Sequence, residues 1–304
     1  MDRDGSRRSD RLQEIVQEQS LGATPTALVT GANSGVGFEV ATGLAASGYR
    51  VLLACRNREF ARQAIERLQG LVPGGTFLDI PLDLADLGAV RQIPSHLARV
   101  ATRLDLAVFN AGVMLPPRDS VTRQGAELQM GVNHVGHHAL LEEILEFLLR
   151  AKAPRVVWVS SLASRFGVAG AISLRRPPGT QRWRGYADSK LAQILHARET
   201  SRRHPGIACV VAHPGVAATR LNRNFHPVLA GLLGQNPSQG AAPVLRACQE
   251  SPPEGCWFGP SRWGQTRGAP AAFPLPSRAL HADPRLFWEA TCDRIRELEG
   301  RSPF

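Results

Sequence analysis

The chain has 304 residues, 43% hydrophobic and 20% charged, with a formal net charge of +10. This is a globular composition with ample material for a large core, and no apolar run reaches the roughly 18 residues that a membrane span requires. The excess charge is almost all arginine, since Lys152 and Lys190 are the only lysines, and its even spread along the chain argues against a nucleic-acid partner, which needs a continuous basic stripe.

Residues 1–24 read as a polar N-terminal extension with a short helical stretch near Arg11 to Gln19 and no apolar leader, so a cytoplasmic protein is expected. From residue 25 to 304 the pattern is that of one domain in which apolar runs alternate with helical stretches. Thr26 to Thr30 reads as a strand, Gly35 to Ala46 as a helix, Arg50 to Cys55 as a strand and Arg58 to Gln69 as a polar-faced helix. A strand over Thr76 to Leu82 follows, then a helix over Leu87 to Val100 bent at Pro94, and a strand over Leu104 to Asn110. A long helical region runs from Gln124 to Ala151, then a strand over Arg155 to Ser160, a helix over Ala187 to Arg203, a strand over Ile207 to Ala212 and a last helix over Arg285 to Leu298. Short Val-, Leu- and Ile-rich strands each followed by a helix predict a doubly wound parallel sheet with helices on both faces, the Rossmann arrangement. Three stretches break the rhythm: Ser164 to Gly185, a substrate-loop region at about 217–236, and a Pro/Gly-rich part at about 251–284.

The motif Thr30-Gly31-Ala32-Asn33-Ser34-Gly35-Val36-Gly37 sits between the first strand and the first helix. Its glycines allow a tight turn and let a pyrophosphate approach the backbone, while the helix N-terminus offers free N–H groups. A phosphoryl-transfer loop would continue with Lys and Ser or Thr; Phe38 and Glu39 stand there instead. The second strand ends in Ala54-Cys55-Arg56-Asn57, where an acid would take the ribose hydroxyls of NAD and an arginine would take the additional phosphate of NADP. Arg56 therefore favours NADP(H) over NAD(H), against the competing reading of a solvated surface arginine.

Tyr186 and Lys190 are four residues apart, on one helix face, and a nearby ammonium stabilises a phenolate. Ser160 and Ser161, at the carboxyl end of the fifth strand, place a hydroxyl at the crevice where open α/β sheets bind ligands. With these pieces in order, the chain resembles the short-chain dehydrogenase/reductase family from about Thr26 to Thr219. The matching segments are Thr30 to Gly37; Asp83 with Leu84; Asn110-Ala111-Gly112; Asn133 within Val132 to His137; Ser161, Tyr186 and Lys190; and His213-Pro214-Gly215-Val216 with Thr219. Within the family the Ala-Cys-Arg-Asn strand end and the wide gap between Ser161 and Tyr186 look most like the retinol dehydrogenase and protochlorophyllide reductase-like branch.

The resemblance implies an NAD(P)-dependent enzyme that moves a hydride between nicotinamide and a carbonyl or alcohol carbon. It makes Tyr186 the general acid or base, Lys190 the holder of the nicotinamide ribose that lowers the tyrosine pKa, Ser161 the partner of the substrate oxygen, and Asn133 the anchor of a water chain reaching Lys190. It assigns cofactor contacts to Gly31, Asn33, Ser34, Gly35, Val36, Gly37, Arg56, Asn57, Asp83, Leu84, Asn110, Ala111, Gly112, Tyr186, Lys190, Pro214, Gly215, Val216 and Thr219. An epimerase or dehydratase that retains its nicotinamide, and a cofactor-binding protein without catalysis, are the competing classes.

The expected substrate is a small lipophilic ketone, aldehyde or secondary alcohol, because Leu221, Phe225, Pro227, Val228, Leu229, Leu232 and Leu233 in the loop, with Phe166 and Trp183, would line an apolar pocket. No N-terminal apolar anchor like that of membrane-bound retinol dehydrogenases is present, which leaves retinoid conversion and a detoxifying or secondary-metabolic reductase both open. His134, His137 and His138 could by spacing share a metal, but the acid of H-E-x-x-H is missing, and the five cysteines contain no C-x-x-C pair, so no metal is expected. The stripe Leu140, Leu141, Ile144, Leu145, Leu148 is read as core, with a homo-oligomer face (dimer or tetramer) as the further option.

Overall fold

The structure, a computed structural model, describes residues 24–178, 181–216 and 235–300. The helix expected near Arg11 to Gln19, the loop residues Leu221 to Leu233 and Thr219 lie outside the described residues.

Eight strands form a single sheet in the order β3-β2-β1-β4-β5-β6-β7-β8. Strands β1 (Thr26–Thr30), β2 (Arg50–Cys55), β3 (Phe77–Pro81), β4 (Leu106–Phe109), β5 (Arg155–Val159) and β6 (Ala208–Ala212) run parallel. β7 (Cys256–Arg262) joins them in parallel beside β6, and β8 (Arg267–Pro274) folds back antiparallel on β7. The helices include α1 (Gly35–Ala46), α2 (Arg58–Leu71), α3 (Leu87–Arg91), α4 (Ile93–Leu97), α5 (Gly136–Leu149), α6 (Arg182–Arg203), α7 (Pro237–Gln249) and α8 (Pro284–Leu298), with further short helices at Ala171–Leu174 and Ser277–His281.

The alternation of side chains along a strand divides the core in two. Leu28, Leu52, Ala107, Phe109, Val156 and Trp158 point to the face covered by α3, α4, α5, α6 and α8. Val29, Val51, Leu53, Val108, Val157 and Val159 point to the face covered by α1, α2 and α7. Each central strand is thus buried on both sides, which is why these strands read as continuous apolar runs. Local signals start the helices: Asn57 accepts from the Phe60 amide ahead of α2, Asn236 and Gln239 form a reciprocal cap on α7, and Asp283 accepts from the Arg285 and Leu286 amides with Pro284 opening α8.

The expected doubly wound, mainly parallel sheet is present, and the Pro/Gly-rich part adds to it the β7–β8 hairpin that was not foreseen; prolines and glycines mask the strand signal, yet an edge position tolerates Pro270 and Pro274. Two helix readings need correction. The long helix expected from Gln124 is a short turn (Leu128–Met130), a π-helical turn (Gly131–Val135) and then α5. The helix carrying Tyr186 begins at Arg182 rather than Ala187, so Tyr186 lies inside it.

Five histidines, His134, His137, His138, His196 and His213, are fully buried. His138 Nδ1 lies 2.7 Å from His196 Nε2, His134 Nε2 lies 3.0 Å from the Thr291 hydroxyl of α8, and the His196 ring stacks on Trp288. Loss of hydration disfavours the charged ring: His137 and His138 are pushed down to about 3, His213 to about 4, and His134 and His196 well below the ordinary value. Each therefore contributes stability that is complete above the unfolded-state pKa near 6.5 and is lost as pH falls from there toward the folded value. Urea unfolding at pH 7 and pH 5.5 should show a loss of about 1.4 kcal/mol per histidine per pH unit below 6.5. Equal stability at the two pH values would mean that these rings titrate normally in the fold.

Candidate active site

The strand order reverses between β1 and β4, and the carboxyl ends of these neighbours splay open a crevice. Thr30 ends β1 and its side chain sews the crevice together. Its Oγ1 accepts from the amides of Asn110 and Ala111, at 2.9 Å each, and lies 2.9 Å from His137 Nε2. His137 Nδ1 lies 3.0 Å from the Asn133 carbonyl oxygen, which can only accept, so Nδ1 carries the proton and Nε2 receives the Thr30 hydroxyl hydrogen.

The loop from Gly31 to Gly37 turns directly above this bond. Gly31 and Gly35 have φ of 66° and 59°, in the left-handed region that glycine enters without strain. A Cβ on Gly37 would lie 2.5 Å from the Gly31 carbonyl oxygen and 2.4 Å from Asn110 Nδ2, so the loop closes onto β4 only with glycine there. Ser34 sits at the N-cap of α1 without a side-chain cap bond, and Asn33, Ser34, Gly35 and Val36 frame the helix start. The Asn110 amide holds the turn by donating to the Thr30 carbonyl at 2.9 Å. Such a glycine cradle at a helix N-terminus, closed against a neighbouring strand, fits a dinucleotide pyrophosphate.

At the rim, Arg56 and Asn57 follow β2 and are exposed; the Asn57 side chain is occupied in capping α2. Arg58 pairs with Asp79, whereas Arg56 has no carboxylate partner among the described residues. Asp83 accepts from the Ala85 amide, and the buried Leu84 carries a carbonyl that would lie 2.4 Å from a Cβ on Gly136. Gly112 faces Asn133, whose Oδ1 would lie 3.1 Å from its Cβ.

Asn133 is fully buried on the π turn. Its Oδ1 accepts from the Val113 amide at 2.7 Å, and its Nδ2 donates to the Val113 carbonyl at 3.0 Å and to the Ser189 hydroxyl at 2.9 Å. Ser189 in turn donates to the Tyr186 carbonyl. The structure thus brings Asn133, Ser161, Tyr186 and Lys190 together. Tyr186 and Lys190 are buried on α6, the ammonium lies 5.8 Å from the phenol ring centre, and the Ser161 side chain at the end of β5 stands beside the phenol and favours its ionised form. Ser160 is turned the other way, donating to the Lys190 carbonyl.

The electrostatics depart from the expected lowering of the phenol. Burial pushes Tyr186 up to about 12, with the Ser161 side chain acting in the opposite sense but not prevailing. Burial also pushes Lys190 down to about 7. The lysine's protons go to the Val159 carbonyl at 2.9 Å and Gln193 Oε1 at 3.0 Å rather than to the phenol.

Pro214, Gly215 and Val216 follow β6 and are buttressed by the hairpin that sequence reasoning missed. The Val216 amide donates to the Thr266 carbonyl, Gln235 Nε2 donates to the Pro214 carbonyl, and a Cβ on Gly215 would lie 2.3 Å from the Thr266 carbonyl oxygen. The insertion before Tyr186 is tied to α6 through Asp188, which accepts from the Val168 amide at 2.7 Å and pairs with Arg176. Phe166 and Trp183 are 63% and 43% exposed, while Met114, Ala163 and Tyr186 form a small apolar cluster with Leu115 against it. Leu115 has a positive φ of 48° and is held there by Gln129, which accepts from its amide. Met114, Leu115, Gln129, Ser189 and Gln193 were not singled out from the sequence; being ordinary core residue types, they become visible only once α6 and the π turn are packed together.

These features define a dinucleotide-dependent oxidoreductase fold with a half-buried Ser161 and a buried Tyr186 and Lys190 at the crevice. A family model for short chain dehydrogenases matches residues 25–228, and the chain belongs to the short-chain dehydrogenase/reductase family, in its retinol dehydrogenase-like branch, as an NAD(P)-dependent enzyme. It is 39% identical over 234 residues to retinol dehydrogenase 14 of Mus musculus, a match covering 70% of each chain. Among the curated relatives the match covers from 60% to 74% of the relative's own length. A solved structure of an uncharacterised protein from Mycobacterium paratuberculosis superposes with a TM-score of 0.72 at 28% identity, covering 93% of this chain and 98% of that one. The NADP complex of RhlG from Pseudomonas aeruginosa superposes with a TM-score of 0.60 at 26% identity, covering 75% and 92%.

The Thr30 hydroxyl is the most heavily used side-chain atom of the crevice. Thr30→Val keeps the shape, leaves the Ala111 amide without its acceptor and His137 Nε2 without its donor, and leaves the Asn110 amide only the Val108 carbonyl, so a loss of about 2 kcal/mol is expected from the shift in urea midpoint. A midpoint unchanged from that of the parent would show that the two amides find other partners.

Proposed function

We propose that this chain is an NADP-dependent reductase of a small lipophilic ketone or aldehyde, with Tyr186 as general acid, Ser161 as partner of the substrate oxygen, and Lys190 and Asn133 as the groups that hold the site in order. The observation that carries this reading is the buried Tyr186 beside the half-buried Ser161, with Lys190 one turn further along α6, next to the apolar cluster of Met114, Leu115 and Ala163. A phenol pushed up to about 12 is protonated at neutral pH, the form that donates to a carbonyl oxygen becoming an alkoxide. Ser161 can donate to the same oxygen, fixing it within reach of the phenol.

Bound nicotinamide would supply the hydride. Gly31, Asn33, Ser34, Gly35, Val36 and Gly37 would hold the pyrophosphate, Asp83 and Leu84 with Asn110, Ala111 and Gly112 the adenosine side and the middle of the cofactor, and Lys190 with Tyr186 the nicotinamide ribose. Pro214, Gly215, Val216 and Thr219 would cradle the nicotinamide. Arg56, exposed and without a carboxylate partner among the described residues, and Asn57 would take the phosphate that distinguishes NADP from NAD. The apolar lining favours a substrate with one carbonyl on a hydrocarbon frame.

Two substitutions test the parts separately. Tyr186→Phe should cut carbonyl reduction about 10²- to 10⁴-fold while NADPH affinity, read by fluorescence titration, stays within about twofold; retention of most of the turnover would remove Tyr186 from the acid's role. Arg56→Asp should weaken NADPH binding about 10- to 100-fold and spare NADH, the scale of one charge-assisted hydrogen bond lost. An NADPH preference unaltered by that change would place the phosphate on another residue.

A further inference from the structure

The Lys190 ammonium has three protons to place and, in the described residues, two acceptors: the Val159 carbonyl and Gln193 Oε1. The other end of the Gln193 amide donates from Nε2 to the Asn133 carbonyl oxygen at 2.8 Å, and the side chain is wholly buried. The amide orientation is fixed by chemistry, because the reversed flip would set NH₂ against an ammonium and oxygen against a carbonyl oxygen. Gln193 therefore stands where a water linking Asn133 to Lys190 was expected. The two are not equivalent. A water takes a proton on one lone pair and releases another, whereas an amide passes a proton only by way of its unfavourable imidic acid form.

The surroundings leave no substitute for this contact. Tyr186 faces Lys190 from the same helix, neutral His137 lies on the side of the π turn and α5, Ser160 and the Val159 carbonyl on the side of β5, and Gly112 approaches from the loop after β4. No acidic side chain among the described residues pairs with the ammonium.

We propose that Gln193 is the positioning residue of Lys190: its amide replaces a relay water between Lys190 and the Asn133 carbonyl, favours the charged form of the lysine beside Tyr186, and closes that side of the site to proton exchange with solvent. The proposal rests on the reading of Tyr186 and Lys190 as the working pair. With Gln193 in place the proton given up by Tyr186 is restored from the substrate side of the pocket, and the Gln193 oxygen favours the charged form of a lysine that burial pushes toward neutrality.

Because Lys152 and Lys190 are the only lysines, the test can watch one amine directly. The full-length protein is labelled with ¹³C-lysine, the two side-chain signals are assigned with Lys152→Arg, and each is titrated by NMR in the parent, Gln193→Met and Gln193→Glu. Removing the acceptor in Gln193→Met should lower the Lys190 midpoint by about one pH unit, and the carboxylate of Gln193→Glu should raise it by about the same amount, while Lys152 stays put. A residue with a merely structural role would not move the midpoint in opposite directions. In Gln193→Ala, which makes room for water, hydrogen–deuterium exchange at the Lys190 ammonium, read from the isotope shift of its neighbouring carbon, should accelerate at least about tenfold. A Lys190 midpoint unchanged in Gln193→Met, or exchange unchanged in Gln193→Ala, overturns the proposal. Should Gln193→Glu fail to fold, the other two variants decide. NADPH titration of the same parent sample separates the two readings: no binding there sinks the cofactor assignment while the lysine midpoints still report on Gln193.

Discussion

Much of the site depends on one buried asparagine. Asn133 uses its side chain to clasp both backbone groups of Val113 and the Ser189 hydroxyl, and its carbonyl oxygen receives His137 Nδ1 and Gln193 Nε2. These bonds join the loop after β4, the π turn, α5 and α6 at one point. A fully buried amide left unpaired is costly, so each partner holds the others in register. From there the chain of contacts runs through His137 to the Thr30 hydroxyl at the end of β1, and through Gln193 to Lys190. The dinucleotide cradle and the reacting side chains are thereby parts of one network rather than neighbouring devices.

The sheet supplies the stage for that network. Its two apolar faces are filled independently, and the ends of β1, β4 and β5 are held level by the pairing of Val29 with Val108 and of Phe109 with Trp158. Close approach does the rest: Gly37 against Gly31, Gly136 against Leu84 and Gly215 against Thr266 are places where any side chain would force backbone apart. The last of these ties the segment after β6 to the hairpin, so a part of the chain without catalytic motifs shapes the cofactor side of the crevice.

Most of the fold was legible because its signals are local. β1, α1 and β2 were read to the residue, since apolar runs bounded by Gly31 and by the Asn57 cap leave little freedom. The hairpin was not, because Pro260, Pro270 and Pro274 contradict the usual composition of a strand; the place of β8 at the sheet edge reconciles Pro270 and Pro274, and Pro260 stands next to the register irregularity of β7. Periodicity could not separate a π turn from an α-helix around Asn133, as the two differ by less than a residue per turn. Tyr186 and Lys190 were visible in their spacing, and Ser161 and Asn133 through strand position and the family resemblance; the four converge in space, but the partners of Lys190 were not foreseen: the phenol was expected to gain from the ammonium, and the structure gives the ammonium to Val159 and Gln193. Among the many arginines, Arg91, Arg176 and Arg203 are engaged with Glu143, Asp188 and Glu199.

The prolines of β8 have a bearing on how copies of this chain can meet. An outer strand ordinarily presents a row of free amide hydrogens on which another sheet can grow. Pro270 and Pro274 carry no such hydrogen, and the Pro260–Pro270 register places two of these residues side by side at the hairpin. At this margin the hydrogen-bonding template is broken at intervals, so lateral growth into a continuous intermolecular sheet finds no regular ladder to extend. The same residues that hid the strand from sequence reading are what keep its border from propagating.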